Sequence, residues 1–405
     1  MFLVLCTLVL WASKVKGTKP KVAGRNLMVK ELSELRTADV VIVGGGIIGL
    51  TIARALAKRG ARDVVLIEKD QPGLEASWAA GGILGPQAEA DQIDDFFRLA
   101  CASRDLYSSF ADSLKEETGM DVELDKTGTL YLGFTADDER ELRQRYEWQA
   151  SEGLPVEWLS RGEARKLEPN ISRKTRCALR FPCDWQVENR RLAEALVKAN
   201  EKLGVRLITE CEVKALRAED GRVAGVESSS GSISAPVVVL AAGAWTSLIP
   251  STGTPLPKID IEPVRGQMLC FEALPPIAQH VLYSSWGYLV PRRDGRILAG
   301  STTEFVGFDK DVTIDGVSEI RAMALEIAPL LDDSPLIDSW SGLRPCAQDG
   351  LPVLGPHEEL EGLFYATAHY RNGILLAPIT GELIADVVTG LPASPLIDAF
   401  SPNRF

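Results

Sequence analysis

DVVIVGGGIIGLTIARALAKRGARDVVLIE, residues 39–68, decides the architecture of this chain. Asp39 to Val43 reads as a short apolar strand that runs directly into Gly44-Gly45-Gly46 and Ile47-Ile48-Gly49, placing glycines 44, 46 and 49 in a G-x-G-x-x-G pattern. A helix follows at once. Leu50, Ala53, Leu56 and Ala57 recur at helical spacing, Gly60 stops the helix, and Val64 to Ile67 forms a second strand leading into Glu68. The unit is βαβ.

Each part has a physical task. Gly44 allows the tight turn, Gly46 lets the backbone approach a pyrophosphate, and Gly49 lets the helix lie close to the strand. The unpaired N–H groups and positive dipole end of the helix, at Ile47 and Ile48, favour phosphate charge. Glu68, followed by Lys69, stands about 20 residues past the last glycine and is placed to accept hydrogen bonds from a ribose with both hydroxyls free. That favours FAD or NAD over 2′-phosphorylated NADP. A bare glycine pattern fits a simple turn equally well; set between two strands with the acid in register, it indicates a dinucleotide.

The 405 residues, 45% hydrophobic and 25% charged, suffice for two cores. A net charge of −12 without a basic run argues against nucleic acid or an anionic membrane surface as partner, so an anionic substrate must be captured by local arginines. The seven cysteines are scattered, with no C-x-x-C pair, and read as reduced thiols of a cytoplasmic protein. Three histidines leave little for His-pair or metal chemistry. Phe2 to Ala12 is an apolar run, but no Lys or Arg precedes it and it is too short to span a bilayer. With Met28 offering a second start, the first 27 residues read as an extension or misassigned start rather than an export signal.

Beyond Glu68 comes Ala76-Ser77-Trp78-Ala79-Ala80-Gly81-Gly82-Ile83-Leu84-Gly85-Pro86-Gln87, so rich in small residues that its backbone amides are unshielded. Composition alone favours a tightly packed helix start. Together with the βαβ opening, however, SWAAGGILGPQAEAD resembles the D-amino-acid-oxidase type of FAD-dependent oxidoreductases, and within it the glycine oxidases of the thiamine pathway. The resemblance covers about Ala38 to Ala399 and implies non-covalent FAD.

The rest of the chain alternates between helical and strand patterns. Helices are expected over Phe96–Thr118, Asp137–Ser151, Arg191–Leu203, Val317–Leu331 and Gly381–Val388, with strands at 128–134, 205–208, 236–245, 267–271, 288–292 and 296–299. A small antiparallel excursion is closed at Asp220-Gly221. The expected fold is α/β: a Rossmann-type, GR2-like FAD-binding domain interleaved with an α+β substrate domain containing an antiparallel sheet. Expected boundaries are 1–37 for the extension, 38–93, 181–254 and 341–405 for the FAD-binding parts and tail, and 94–180 and 255–340 for the substrate domain.

Three late stretches carry the candidate chemistry. Trp286-Gly-Tyr-Leu-Val-Pro-Arg292 places Tyr288 at the start of a strand, Ser341-Gly-Leu-Arg-Pro345 carries Arg344, and Ala368-His-Tyr-Arg-Asn-Gly-Ile-Leu-Leu-Ala-Pro378 leads into the last helix. Arg344, between Gly342 and Pro345, offers a fork of donors that matches a carboxylate. Taken singly, each of these residues fits a structural role as well. The resemblance implies that Arg344, with Tyr288, grips the substrate carboxylate and that Arg371 sits at the flavin and substrate edge. It further implies FAD contacts from Ala76, Ser77, Gly81, Gly82, Ile83, Val213, Gly243, His369, Tyr370, Asn372, Gly373, Ile374 and Leu375. Gly342 stands where some relatives attach flavin through cysteine. Trp286 favours a very small substrate if it points inward and is core packing if it does not.

The implied reaction is hydride transfer from an amine Cα to flavin, hydrolysis of the imine to a 2-oxo acid and ammonia, and reoxidation by dioxygen to hydrogen peroxide. Glycine, sarcosine, D-alanine and D-proline are all open as substrates, and the resemblance implies a tetramer. Competing readings are a D-amino-acid dehydrogenase with a quinone or protein acceptor, a non-catalytic FAD-binding subunit, and an NAD-linked dehydrogenase.

Overall fold

The computed structural model describes residues 37–253, 255 and 259–405. The N-terminal extension, with Cys6, lies outside them. Val40–Val43 sits inside a six-stranded sheet between Val64–Ile67 and Val237–Leu240, with Val40 level with both Val64 and Val237. Arg206–Ile208 continues the sheet on one side and Leu363–Thr367 on the other, all parallel, and Val353–Pro356 adds an antiparallel edge.

The two faces of this sheet are covered differently. Val40, Ile42, Val64 and Leu66 point into a core shared with the helices Ile47–Lys58, Asp95–Thr118, Asn189–Lys202 and Gly373–Val388. Val41, Val43, Val65 and Ile67 point the other way, onto a four-stranded sheet that contributes Leu216, Val226 and Ile233. Burial on both faces is why these strands are unbroken apolar runs instead of alternating ones. The four-stranded sheet holds the expected hairpin, Val213–Glu219 against Arg222–Ser228, with Asp220 and Gly221 both at positive φ as a tight hairpin turn requires.

An eight-stranded sheet forms the second body. Its order is Leu336–Ala347, Ile261–Glu272, Arg296–Gly300, Gly287–Pro291, Val281–Ser284, Thr129–Gly133, Cys177–Phe181 and Glu157–Ser160, antiparallel except for Val281–Ser284 beside Thr129–Gly133. Ile314–Ile327 packs on it through Ile320, Met323, Ala324 and Ile327.

Several elements depart from expectation. Asp95–Thr118, expected with the second domain, buries Leu99, Tyr107, Ala111 and Leu114 among the helices of the parallel sheet. Leu336–Ala347 is one twelve-residue strand of the eight-stranded sheet and runs through the boundary expected at 340/341. The helix expected over Val317–Leu331 ends at Ile327, because Pro329 forces Ala328 out of helical geometry, and a short 3-10 turn follows.

The last helix begins at Gly373 rather than Gly381 and passes straight through Pro378. Proline lacks the N–H that would bond the carbonyl four residues back, at Ile374. The Tyr107 hydroxyl donates to that carbonyl instead, and Ser103 Oγ donates to Leu375 O at 2.6 Å. The long helix thus splices the gap in its neighbour. Among the described residues no helix is long and apolar enough to cross a membrane.

Tyr107→Phe removes this donor at a fully buried site, and a loss of about 1–3 kcal/mol is expected in urea denaturation. The loss shrinks in a Pro378→Ala background, where the helix supplies its own N–H.

Candidate cofactor and substrate site

The glycine turn opens a cavity at the carboxyl ends of the parallel strands. Gly44 has φ +109°, and a Cβ there would lie 2.4 Å from Ala241 O. A Cβ on Gly49 would lie 2.0 Å from Gly44 O, so Gly49 is the seat of the helix on the strand and does not itself line the cavity. Gly46 differs: its Cβ would meet nothing nearer than Ser77 Oγ at 3.5 Å, and it lines the cavity with Ile47 and Ile48.

Helix geometry leaves the first-turn N–H groups without intrahelical partners. Ile47 N donates to Ser77 Oγ at 2.9 Å, while Gly46, the N-cap, brings no side chain to occupy the others. Glu68 is buried and accepts from Gly45 N at 2.7 Å and Asp70 N at 3.0 Å. Burial raises its pKa and these two donors oppose the rise. Lys69 lies 3.3 Å over the ring of Trp245, and Val213 and Gly243 complete this end. Trp245 was not anticipated.

The small-residue segment lines the middle through Ala76, Ser77, Gly81, Gly82 and Ile83. Gly82 has φ +72°, with a hypothetical Cβ 2.1 Å from Val187 O. A buried arginine holds the segment in place: Arg292 donates to Gly81 O at 2.8 Å, Val187 O at 3.0 Å and Asn189 Oδ1 at 3.1 Å, beside Glu188. Asn189 Nδ2 in turn donates to Ser77 O at 2.7 Å. Arg292 closes a run already singled out for Tyr288, but no local signal marks its long-range partners.

His369, Tyr370, Arg371, Asn372, Gly373 and Ile374 line the cavity, whereas Leu375 faces the core behind it. Ala368 and Tyr370 take left-handed backbone conformations, φ 57° and 46°, turning the chain from strand into helix. His369 is buried with Nε2 3.1 Å from Thr380 Oγ1, and burial lowers its pKa to about 3, so the ring is neutral.

Arg344 comes from the eight-stranded sheet, level with Val264. Its guanidinium occupies the space over Gly266, where a Cβ would come within 2.2 Å of Nη1. Nη1 donates to Thr302 O at 3.1 Å and Nη2 to Ser301 Oγ at 2.6 Å; the Tyr288 hydroxyl lies 3.3 Å from the same Ser301 Oγ. Arg371 instead faces Glu89, Nη2 to Oε1 3.4 Å, and the Tyr283 hydroxyl donates to Glu89 Oε1 at 2.9 Å. Glu89, Tyr283, Gly266 and Ser301 were not singled out in advance, because only the folded sheets bring them to the arginines. Trp286 points away: it is 49% exposed and stacks on Phe134, centroids 5.3 Å apart.

Gly342 lines the cavity and Cys346 does not; a Cβ on Gly342 would lie 2.5 Å from that of Ala79. One continuous cavity therefore joins the glycine turn and helix start, buried Glu68, a wall of small residues and two guanidinium groups. These residues suit FAD, with a carboxylate-bearing molecule beside it.

The chain belongs to the FAD dependent oxidoreductase family, whose model matches residues 39–387. Within that family it is 38% identical over 354 residues to the glycine oxidase of Geobacillus kaustophilus, covering 86% of this chain and 92% of that protein. A crystal structure of glycine oxidase from that organism superposes with a TM-score of 0.87 at 36% identity, covering 91% of this chain and 99% of that one. The bifunctional protein ThiO/ThiG of Trichormus variabilis is 37% identical over 382 residues, and the match covers 91% of this chain but 55% of that protein.

Two outcomes follow from the glycines and the buried histidine. Gly46→Val should leave the fold intact by circular dichroism while the purified protein loses its yellow flavin absorbance, whereas Gly49→Val should destabilise the fold itself. An unfolded imidazole takes up a proton below about pH 6.5, while His369 stays neutral to about pH 3. Its contribution to stability is thus full above pH 6.5 and is lost as pH falls toward 3. His369→Gln should flatten that acid limb by the order of a few kcal/mol in denaturation curves taken at stepped pH.

Proposed function

We propose that the chain is an FAD-dependent amine oxidase that deaminates glycine and similarly small amino acids, and that the glycine imine supplies the thiazole of thiamine. The observation that carries this reading is Arg344, a guanidinium that among the described residues is bonded to neutral groups alone, beside Tyr288 in the same cavity as the glycine turn. The names of the relatives and the fused ThiO/ThiG protein support the substrate and the pathway. The six cysteines among the described residues are free, which suits a cytoplasmic setting.

Gly44, Gly46 and the N–H group of Ile48 would hold the pyrophosphate, with the Ile47 N–H kept on Ser77 Oγ beside it, Glu68 the adenosine ribose, and residues 76–83 with 369–374 the ring and ribityl chain, without a covalent bond at Gly342. FAD held there would supply the acceptor for hydride from the substrate Cα, with dioxygen as the final electron acceptor and hydrogen peroxide as product. Arg344 fixes the carboxylate with two parallel donors and Tyr288 adds a third from its hydroxyl. This orients the Cα–H without any general base, and the effect of orientation alone is large. The neutral His369 holds Thr380 and takes no proton near neutral pH. Tyr283 and Tyr288, with rings 5.5 Å apart, limit the room beside Cα, a role Trp286 does not fill.

Peroxide release under air is expected with glycine when glycine, sarcosine, D-alanine and D-proline are offered separately. Flavin bleaching without peroxide would instead indicate a dehydrogenase. Arg344→Ala should raise KM for glycine about 100-fold, the loss of a charge-assisted bidentate contact of about 3 kcal/mol, with flavin still bound. Unchanged kinetics would remove the carboxylate assignment.

A further inference from the structure

Two guanidinium groups face the cavity, and the protein balances the charge of one of them. Arg371 is paired with Glu89, 3.4 Å away, and Glu89 is fixed further by the Tyr283 hydroxyl at 2.9 Å. Arg344 bonds to Ser301 Oγ and Thr302 O, and among the described residues no carboxylate pairs with it. The two arginines share one pocket, since the ring of Tyr283 at Glu89 lies 5.5 Å from that of Tyr288.

Glu89 is not a loose surface acid. The backbone just before it is anchored to buried Asp184, which accepts from Gln87 N at 3.3 Å and Ala88 N at 2.7 Å, and Arg145 Nη1 donates to Ala88 O. Its carboxylate is therefore held at a defined place in the cavity wall.

We propose that Glu89 is a specificity-determining residue: by balancing Arg371 it leaves Arg344 the one uncompensated guanidinium facing the cavity, so that the pocket takes amines with one carboxylate and turns away amines carrying a second anionic group. This deepens, and rests on, the amine-oxidase reading above. A second carboxylate entering near Arg371 meets a neutral pair whose negative member repels it, and its loss of hydration goes uncompensated. With Glu89 made neutral, Arg371 presents a free fork of donors to that second carboxylate.

The test uses the holoenzyme and the ratio of kcat/KM for iminodiacetate, which has two carboxylates, to that for glycine, which has one. Glu89→Gln, which keeps an acceptor for Tyr283, should raise the ratio tenfold or more. Glu89→Gln with Arg371→Gln should return it toward the wild-type value, and Glu89→Asp, which keeps the charge, should leave it low. A ratio unchanged in Glu89→Gln, or raised equally in Glu89→Asp or in the double variant, overturns the proposal. If glycine fails to bleach the wild-type flavin at all, the amine-oxidase reading falls first. Should Glu89→Gln lose its flavin, competition by iminodiacetate against glycine in Glu89→Asp and Arg371→Gln decides instead. Weak competition in the first and weaker still in the second is expected, and stronger competition in Arg371→Gln than in wild type overturns it.

Discussion

The contact on which the molecule depends is that of a helix resting directly on a peptide bond. Gly49 approaches the Gly44 carbonyl so closely that no side chain fits between them, and Gly44 is pressed just as tightly against Ala241 on the neighbouring strand. These two contacts set the first helix at the ends of two adjacent strands, with its unpaired N–H groups facing the cavity. Ser77, Glu68 and the turn into the last helix are all positioned relative to that start. Gly46, between them, is free of such contacts and borders the cavity, whereas Gly44 and Gly49 are fixed by the packing of the fold itself.

The parallel sheet, the hairpin at Asp220 and the strand near Tyr288 were legible from short-range pattern. Periodicity and turn residues are local, and each segment carried its own. What escaped was set by distant partners. The last helix passes through Pro378 with the one carbonyl that proline strands, at Ile374, satisfied by Tyr107, over 260 residues earlier, and with Ser103 bonded to the next carbonyl. The long helix Asp95–Thr118 looked like an opening of the second domain because its polar face is as conspicuous as its apolar one. Its choice of core is made by Gly373–Val388. At the site the same division holds. The glycines, Glu68 and Arg344 stand out by type and neighbours and Arg371 through the family resemblance alone, while Glu89, Tyr283 and Arg292 draw their roles from long-range contacts.

Electrostatically the cavity is a place of controlled imbalance. Arg292 is fully enclosed, yet it is met by Glu188 and four polar acceptors, so it stiffens the wall without drawing a ligand. Arg344 has its hydrogen-bonding geometry set by neutral oxygens, which fix the fork and leave its charge unspent. Burial lowers its pKa, but a guanidinium remains protonated at any physiological pH, so the wall keeps its attraction for anions. The neutral His369, elsewhere in the cavity lining, adds no competing charge.

Gly266 and Gly342 stand opposite each other on adjacent strands in the cavity floor, and the space over Gly266 goes to the Arg344 guanidinium. The space above Gly342 is already filled by Ala79, on the segment that holds the flat wall. Any side chain at 342 would meet Ala79 and push that wall aside. A lineage starting from this chain could therefore not acquire a covalent tether at that position by one substitution; Ala79 would have to shrink first or at the same time. The floor records a commitment to a cofactor that can be exchanged.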